Sequence, residues 1–150
     1  MALIFKVQIV GITKPPVWRR IAIKNDATFY DLHDAIQRAF NWGDYHLWCF
    51  QPTKRLGQGW RIEPEENDDG WLEPAESPEM EIRECALPIP FYYLYDFGDH
   101  WLHSVKYEKS EEMDLPHGCK LLASKGEAPE EDSGGIYEYM NRRDHPEEYD

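Results

Sequence analysis

Side chains capable of chemistry concentrate in YDFGDHWLHSV, the stretch from Tyr95 to Val105, which carries two carboxylates (Asp96, Asp99) and two imidazoles (His100, His103). His100 and His103 look like a metal-binding pair, but an HxxH pair shares a face only on a helix, where residues three or four apart are neighbours. The alternation around Trp101 marks a strand, and a strand sends successive side chains to opposite faces. Parity then groups Asp99, Trp101, His103 and Val105 on one side and His100, Leu102 and Ser104 on the other. The histidine pair is split, and an Asp99–His103 carboxylate–imidazole pair is expected instead. Such a pair favours the cationic ring or fixes one tautomer, as acid–base chemistry requires. It can equally satisfy two polar groups beside a core Trp101, and this structural role is the preferred reading. Gly98 is expected to supply a positive φ in the preceding turn.

Two further polar islands bear on this segment. In PPVWRRI, strand parity sets Arg20 with Trp18, and Arg19 with Val17 and Ile21. One guanidinium should be partly buried and should need a carboxylate, with Asp96, Asp99, Glu131 and Asp132 as candidates. A structural ion pair is preferred over capture of a substrate anion. In APEEDSGG, residues 128 to 135, Glu130, Glu131 and Asp132 offer oxygen ligands, but the regular spacing of an EF-hand loop is absent. The paired glycines read as a tight turn feeding a helix, with Asp132 as its cap. His33 and His46 are read as packing histidines. The candidate polar cluster is therefore Arg19, Arg20, Asp96, Asp99, Trp101, His103, Glu131 and Asp132. No catalytic residue, no cofactor and no metal-ligand set is assigned.

The elements that must position these groups are legible from periodicity. LIFKVQI (3–9) and VWRRIAIK (17–24) are apolar, β-branched runs, with Gly11, Pro15 and Pro16 marking the connection between them. Thr28 and Asp31 form a capping-box pattern at the start of a helix of about 28–41. Phe29, Leu32, Ile36 and Phe40 give that helix its apolar face. HLWCFQ (46–51) reads as a third strand, so the chain opens strand, strand, helix, strand, a β-grasp-like order. Further strands are expected at Met80–Cys85, Phe91–Tyr95, Trp101–Glu108 and Cys119–Ala123, and a short helix around Ile136–Arg142. The whole is a single α+β domain with a mostly antiparallel sheet, interrupted by a mobile acidic loop at about 63–79.

Composition narrows the function classes. The net charge of −13 is uneven: residues 63 to 84 hold ten acids and one arginine, leaving about −4 for the rest. Even that remainder offers no basic face for a phosphate backbone, so direct duplex nucleic acid is an unexpected partner. Six Trp, nine Tyr and six Phe supply a substantial core despite the polarity. No run of about 18 apolar residues exists, so no membrane partner is expected. Three widely spaced cysteines without a CxxC fit a reduced, cytoplasmic protein.

KPPVWRRI, DLHDAIQRAFNW with HLWCF, FYYLYDFGDHWLHSV, and APEEDSGG with GIYEYMNRRDHPEEY occur in the order seen in the plasmid pRiA-type ORF-three-like family. This chain resembles that family, whose members are also described as transposon-passenger or TnpR proteins. The resemblance covers most of the chain outside 52–80 and implies an α+β fold and an uncharacterised function. The family's PPEDCGG is PEEDSGG here, with Glu130 for the second proline and Ser133 for the cysteine. Family members run somewhat past HPEEYD, so this sequence is expected to be a short member or an incomplete one. A resolvase chemistry does not fit the residues, because no serine stands in an early arginine-rich context and the charge opposes a DNA-embracing domain.

These features favour a non-enzymatic domain that binds a protein or small-molecule partner, with aromatic side chains at its surface. The alternative is a metal-dependent hydrolase built on Asp96, Asp99, His103 and the acids Glu130 to Asp132. A nucleic-acid accessory protein ranks third.

Overall fold

The computed structural model describes residues 1–55, 58–64, 76–84 and 89–148. The expected acidic loop therefore lies largely outside the described residues, as does Cys85. The described strands are β1 (Ala2–Ile9), β2 (Trp18–Lys24), β3 (Trp48–Gln51), β4 (Phe91–Tyr95), β5 (Trp101–Glu111) and β6 (Cys119–Lys125). They form one sheet in the order β3-β4-β5-β1-β2-β6 with every neighbouring pair antiparallel. Two α-helices accompany it, α1 (Phe29–Ala39) and α2 (Ile136–Asp144). The α+β architecture and its mostly antiparallel sheet are as the sequence indicates.

Helix α1 starts where capping chemistry dictates. Thr28 Oγ1 accepts from the Asp31 amide at 3.2 Å, and the Asp31 carboxylate accepts from the Thr28 amide at 2.9 Å. Both halves of the capping box are thus present. Its apolar stripe, Phe29, Leu32, Ala35 and Ile36 with Phe40 just beyond, is buried against one face of the sheet. That face includes Leu3, Phe5, Val7 and Ile9 from β1, Ile21 and Ile23 from β2, Phe91, Tyr93 and Tyr95 from β4, and Trp101 and Val105 from β5, with His103 against Phe40. Each large aliphatic or aromatic side chain buried there contributes roughly 1.5–3 kcal/mol relative to exposure. The opposite face carries smaller clusters, Ala2, Ile4, Ala22 and Leu115 at one place and Cys49, Leu94 and Leu102 at another.

One expected strand is replaced by something else. Residues 82–84 form a single 3-10 turn, and only Glu81 makes an isolated bridge, to Thr28. The reason lies at the N-terminus of α1, whose first amides lack intrahelical acceptors. The Phe29 amide donates to Met80 O at 3.1 Å and the Tyr30 amide to Pro78 O at 3.1 Å. The segment thus serves the helix end rather than the sheet, and Ile82 is buried beneath it.

Helix α2 closes the far end. Ile136, Tyr139 and Met140 pack on the core, and Arg143 donates to Thr13 O (2.7 Å) and Pro15 O (2.9 Å) in the β1–β2 connection. Among the described residues no helix is long and apolar enough to cross a membrane.

Candidate functional site

The functional geometry gathers where β4 turns into β5, and three separate segments meet there. The first is the linker from α1 to β3, containing Trp42 to His46. Trp42 Nε1 donates to Pro129 O (2.8 Å) and the Gly43 amide to Glu131 Oε1 (2.8 Å). The second is the β4–β5 turn, residues 96 to 100. The third is the loop between β6 and α2, from Gly126 to Gly135.

The turn is built by Asp96, not by Gly98. Positive φ falls on Asp96 (+63°) and His100 (+61°), whereas Gly98 has none. Asp96 Oδ1 accepts from the amides of Gly98 (3.1 Å) and Asp99 (3.2 Å), which offsets the left-handed backbone of its own residue. The His100 amide closes onto Asp96 O at 2.6 Å. The strand begins only at Trp101, so Asp99 lies in the turn and strand parity does not apply to it.

Asp99 therefore does not meet His103. Its carboxylate accepts from the Gly134 amide at 3.1 Å, and its carbonyl oxygen lies 2.9 Å from where a Cβ on Gly135 would sit. Gly135 has φ +95° and ψ −173°, a region open essentially to glycine alone. The paired glycines thus let the third segment dock on the turn. The N-cap of α2 is Gly135, without a side-chain cap, so Asp132 is not the cap that the sequence indicates.

His103 is sealed in the core, with Nδ1 3.1 Å from Tyr93 O and rings of Phe40, Trp42 and Tyr93 around it. Burial lowers its pKa to about 4, against the smaller opposing influence of backbone hydrogen bonding that includes the Tyr93 carbonyl. Neutral and inaccessible, it is a packing residue. Trp101, at 0 % exposure, is core as well and lies against Trp42.

The two arginines also stand apart from the acids. Arg19 is buried, yet main-chain carbonyls satisfy it: Nε donates to Ala39 O (3.0 Å), and one terminal nitrogen to Trp18 O (2.8 Å) and Lys125 O (3.1 Å). It finishes the C-terminus of α1, where a cation is favourable, and stacks over Phe40. Arg20 reaches across the sheet to Glu108 at 2.6 Å. Neither pairs with Asp96, Asp99, Glu131 or Asp132.

The acids converge instead on His46. Its Nε2 lies 2.8 Å from Asp132 Oδ1, 3.6 Å from Asp96 Oδ2 and 3.7 Å from Glu131 Oε2. That nitrogen is shielded from solvent, and among the described residues it has no hydrogen-bond partner of acceptable geometry. The 2.8 Å approach of Asp132 is thus a close contact outside hydrogen-bond geometry. The carboxylates are held from behind. Asp96 Oδ1 is occupied by the turn amides, and Glu131 Oε1 by the Gly43 amide and the Tyr95 hydroxyl (2.9 Å). Tyr95 in turn accepts from the Tyr45 amide at 3.0 Å, and its pKa is raised, by burial first and by Glu131 among the other causes. Asp132 is the exposed member at 67 % of its side chain, while Glu130 points outward. Tyr45 and Leu47, flanking His46 in sequence, are exposed.

Of the sequence-designated cluster, then, Asp96, Glu131 and Asp132 meet, Asp99 braces their loops, and Arg19, Arg20, Trp101 and His103 lie elsewhere. His46, expected to be a packing histidine, instead faces the acids because the α1–β3 linker brings it to the β4–β5 turn, and Tyr95 joins it through Glu131 without being marked in the sequence. His33 makes a separate buried network, stacked on Trp48 at 3.8 Å and bonded to Tyr93 Oη (2.6 Å) and Asp44 Oδ1 (2.9 Å).

A family model described as plasmid pRiA4b ORF-3-like protein matches residues 1–148. The chain is 32 % identical over 127 residues to the uncharacterized protein y4hQ of Sinorhizobium fredii, covering 85 % of this chain and 64 % of that protein. This chain thus spans somewhat under two thirds of that relative's length. It is also similar to the crystal structure of a protein of unknown function, MM3350, from Methanosarcina mazei Go1. There the TM-score is 0.82 at 35 % identity, over 99 % of this chain and 82 % of the other.

Proposed function

This chain belongs to the plasmid pRiA4b ORF-3-like family, and from that premise and its site geometry we propose that it is a binding domain whose ligand is positively charged. One observation carries the reading: three carboxylates from two loops, Asp96, Glu131 and Asp132, surround a single imidazole nitrogen at 2.8–3.7 Å. A close group of acids concentrates negative potential and draws cations. Glu131 and Asp96 are largely buried and anchored by amides, so their charge is fixed in place before any ligand arrives. The hydrolase alternative needed His103 as a base beside Asp99, and these two residues are directed to different partners.

The test is thermal unfolding of the full chain against a panel of polyamines, lysine and arginine esters, metal ions and, as controls, inorganic anions. A ligand at 100 times its dissociation constant stabilises by about 2.7 kcal/mol, or roughly 5–10 °C for a domain of this size. We expect at least one cation to give such a shift and Asp132→Asn with Glu131→Gln to abolish it. Stabilisation by anions alone, or a cation response that survives the double substitution, would overturn the assignment.

A further inference from the structure

Resting on that reading, we infer that the cation is a first-row divalent transition metal held by His46 Nε2, Asp96 Oδ2 and Asp132 Oδ1, with Glu131 adding negative charge beside it. The argument begins from the unusual state of His46. Its Nε2 is withdrawn from water, faces three carboxylate oxygens and makes no acceptable hydrogen bond to any of them among the described residues. A solvent-shielded imidazole nitrogen left without a hydrogen bond among carboxylate oxygens is a position that a shared cation would satisfy.

Distances support this assignment. Ligands about 2.0–2.1 Å from a metal stand roughly 3.0–3.4 Å from one another in octahedral or tetrahedral arrangements. The separations of 2.8, 3.6 and 3.7 Å bracket that range, and the candidate atoms of His46, Asp96 and Asp132 all lie within 4.8 Å of one another.

The supporting shell is already in place. In metal sites the ligating carboxylates are themselves hydrogen-bonded, which orients them. Here the Gly98 and Asp99 amides hold Asp96 Oδ1, leaving Oδ2 for the cluster. The Gly43 amide and the Tyr95 hydroxyl hold Glu131 Oε1, and the hydroxyl also reaches Oε2 at 3.1 Å. Asp132, mostly exposed, provides the way in. One nitrogen with two carboxylates suits Zn²⁺ or Mn²⁺ better than Ca²⁺ or Mg²⁺, which take oxygen ligands.

Three segments distant in sequence each contribute a ligand, so binding also joins the α1–β3 linker, the β4–β5 turn and the β6–α2 loop. The full chain, stripped with a chelator, should bind one equivalent of Zn²⁺ or Mn²⁺ by calorimetry and elemental analysis. His46→Ala and Asp132→Asn should each weaken binding at least 10-fold, and Glu130→Gln should leave it unchanged. Because a variant can fail for lack of folding, Mn²⁺ is also added to the unmodified protein, where it should broaden the imidazole resonances of His46 before those of His100 and His117. Binding that persists in His46→Ala, or broadening that spares His46, sinks the metal assignment. So does a chain that takes spermidine at the acids but no metal, and that outcome leaves the cation-binding reading standing. If neither spermidine nor metal binds, both fall.

Discussion

Acid should destabilise this fold through His103 in a defined window. The folded-state pKa is about 4 because burial penalises the imidazolium, while the unfolded chain has the ordinary value near 6.5. A base with a depressed folded pKa leaves the unfolded state holding more protons between those two values. Stability therefore rises with pH across the window, is complete above about 6.5, and is lost progressively as pH falls toward 4. The full effect is about 3 kcal/mol, at roughly 1.4 kcal/mol per unit. His33, also lowered by burial, pushes the same way, and ordinary carboxylates titrate at the lower end. Comparison with His103→Asn removes those shared contributions. Asparagine keeps a donor for Tyr93 O and cannot titrate, so its overall stability will be lower but its pH slope shallower. Urea unfolding at several values from pH 7.5 to 4 gives both curves. The natural chain should lose about 2–3 kcal/mol more than the variant over this interval. Parallel curves would refute the claim that His103 is held neutral.

Three other outcomes follow from the packing. Gly135→Ala places a Cβ 2.9 Å from Asp99 O at φ +95° and should cost more than about 2 kcal/mol in chemical denaturation. Gly98→Ala, whose Cβ would stand 3.4 Å from Asp96 Oδ1 with no positive φ, should cost under about 1 kcal/mol, and equal costs would contradict the assignment of turn geometry. Arg19→Met strips hydrogen bonds from three carbonyls and should cost about 2–3 kcal/mol, against under about 1 kcal/mol for Arg20→Met at the sheet surface, as read by thermal unfolding. Thr28→Ala should cost about 1 kcal/mol and raise amide exchange in the first turn of α1; unchanged exchange would show the cap to be idle.

Much of the scaffold is written locally. Period-two alternation identifies Trp101, His103 and Val105 as the core-facing side of β5, and Thr28 with Asp31 marks the start of α1 within a residue. Met80–Cys85 misleads because its apolar spacing fits a strand, while Met80 O accepts the Phe29 amide at the start of α1 and residues 82–84 form a 3-10 turn. The arginines mislead differently. A buried guanidinium asks for acceptors, and sequence displays carboxylates but hides main-chain carbonyls, which are what Arg19 uses. The site was half legible. Asp96, Glu131 and Asp132 stand out as acids near turns, but nothing near His46 in the chain announces contact with residues 50 and more than 80 positions later. Strand parity misassigns Asp99 because it lies in the turn, two residues before β5 begins.

The strand order has a consequence for how the molecule assembles. β6, β2 and β1 make one half of the sheet and β5, β4 and β3 the other, and the two pair through β1 and β5, where Val7 lies opposite Val105. That seam closes a loop of nearly one hundred residues, so it is slow to form compared with the β1–β2 and β4–β5 hairpins. His46 and Asp96 travel with the β3–β5 half, whereas Asp132 follows β6. Their contact is expected to follow closure of the seam. A reporter on the His46–Asp132 contact would then mark the last event of refolding, trailing the recovery of secondary structure in a stopped-flow trace.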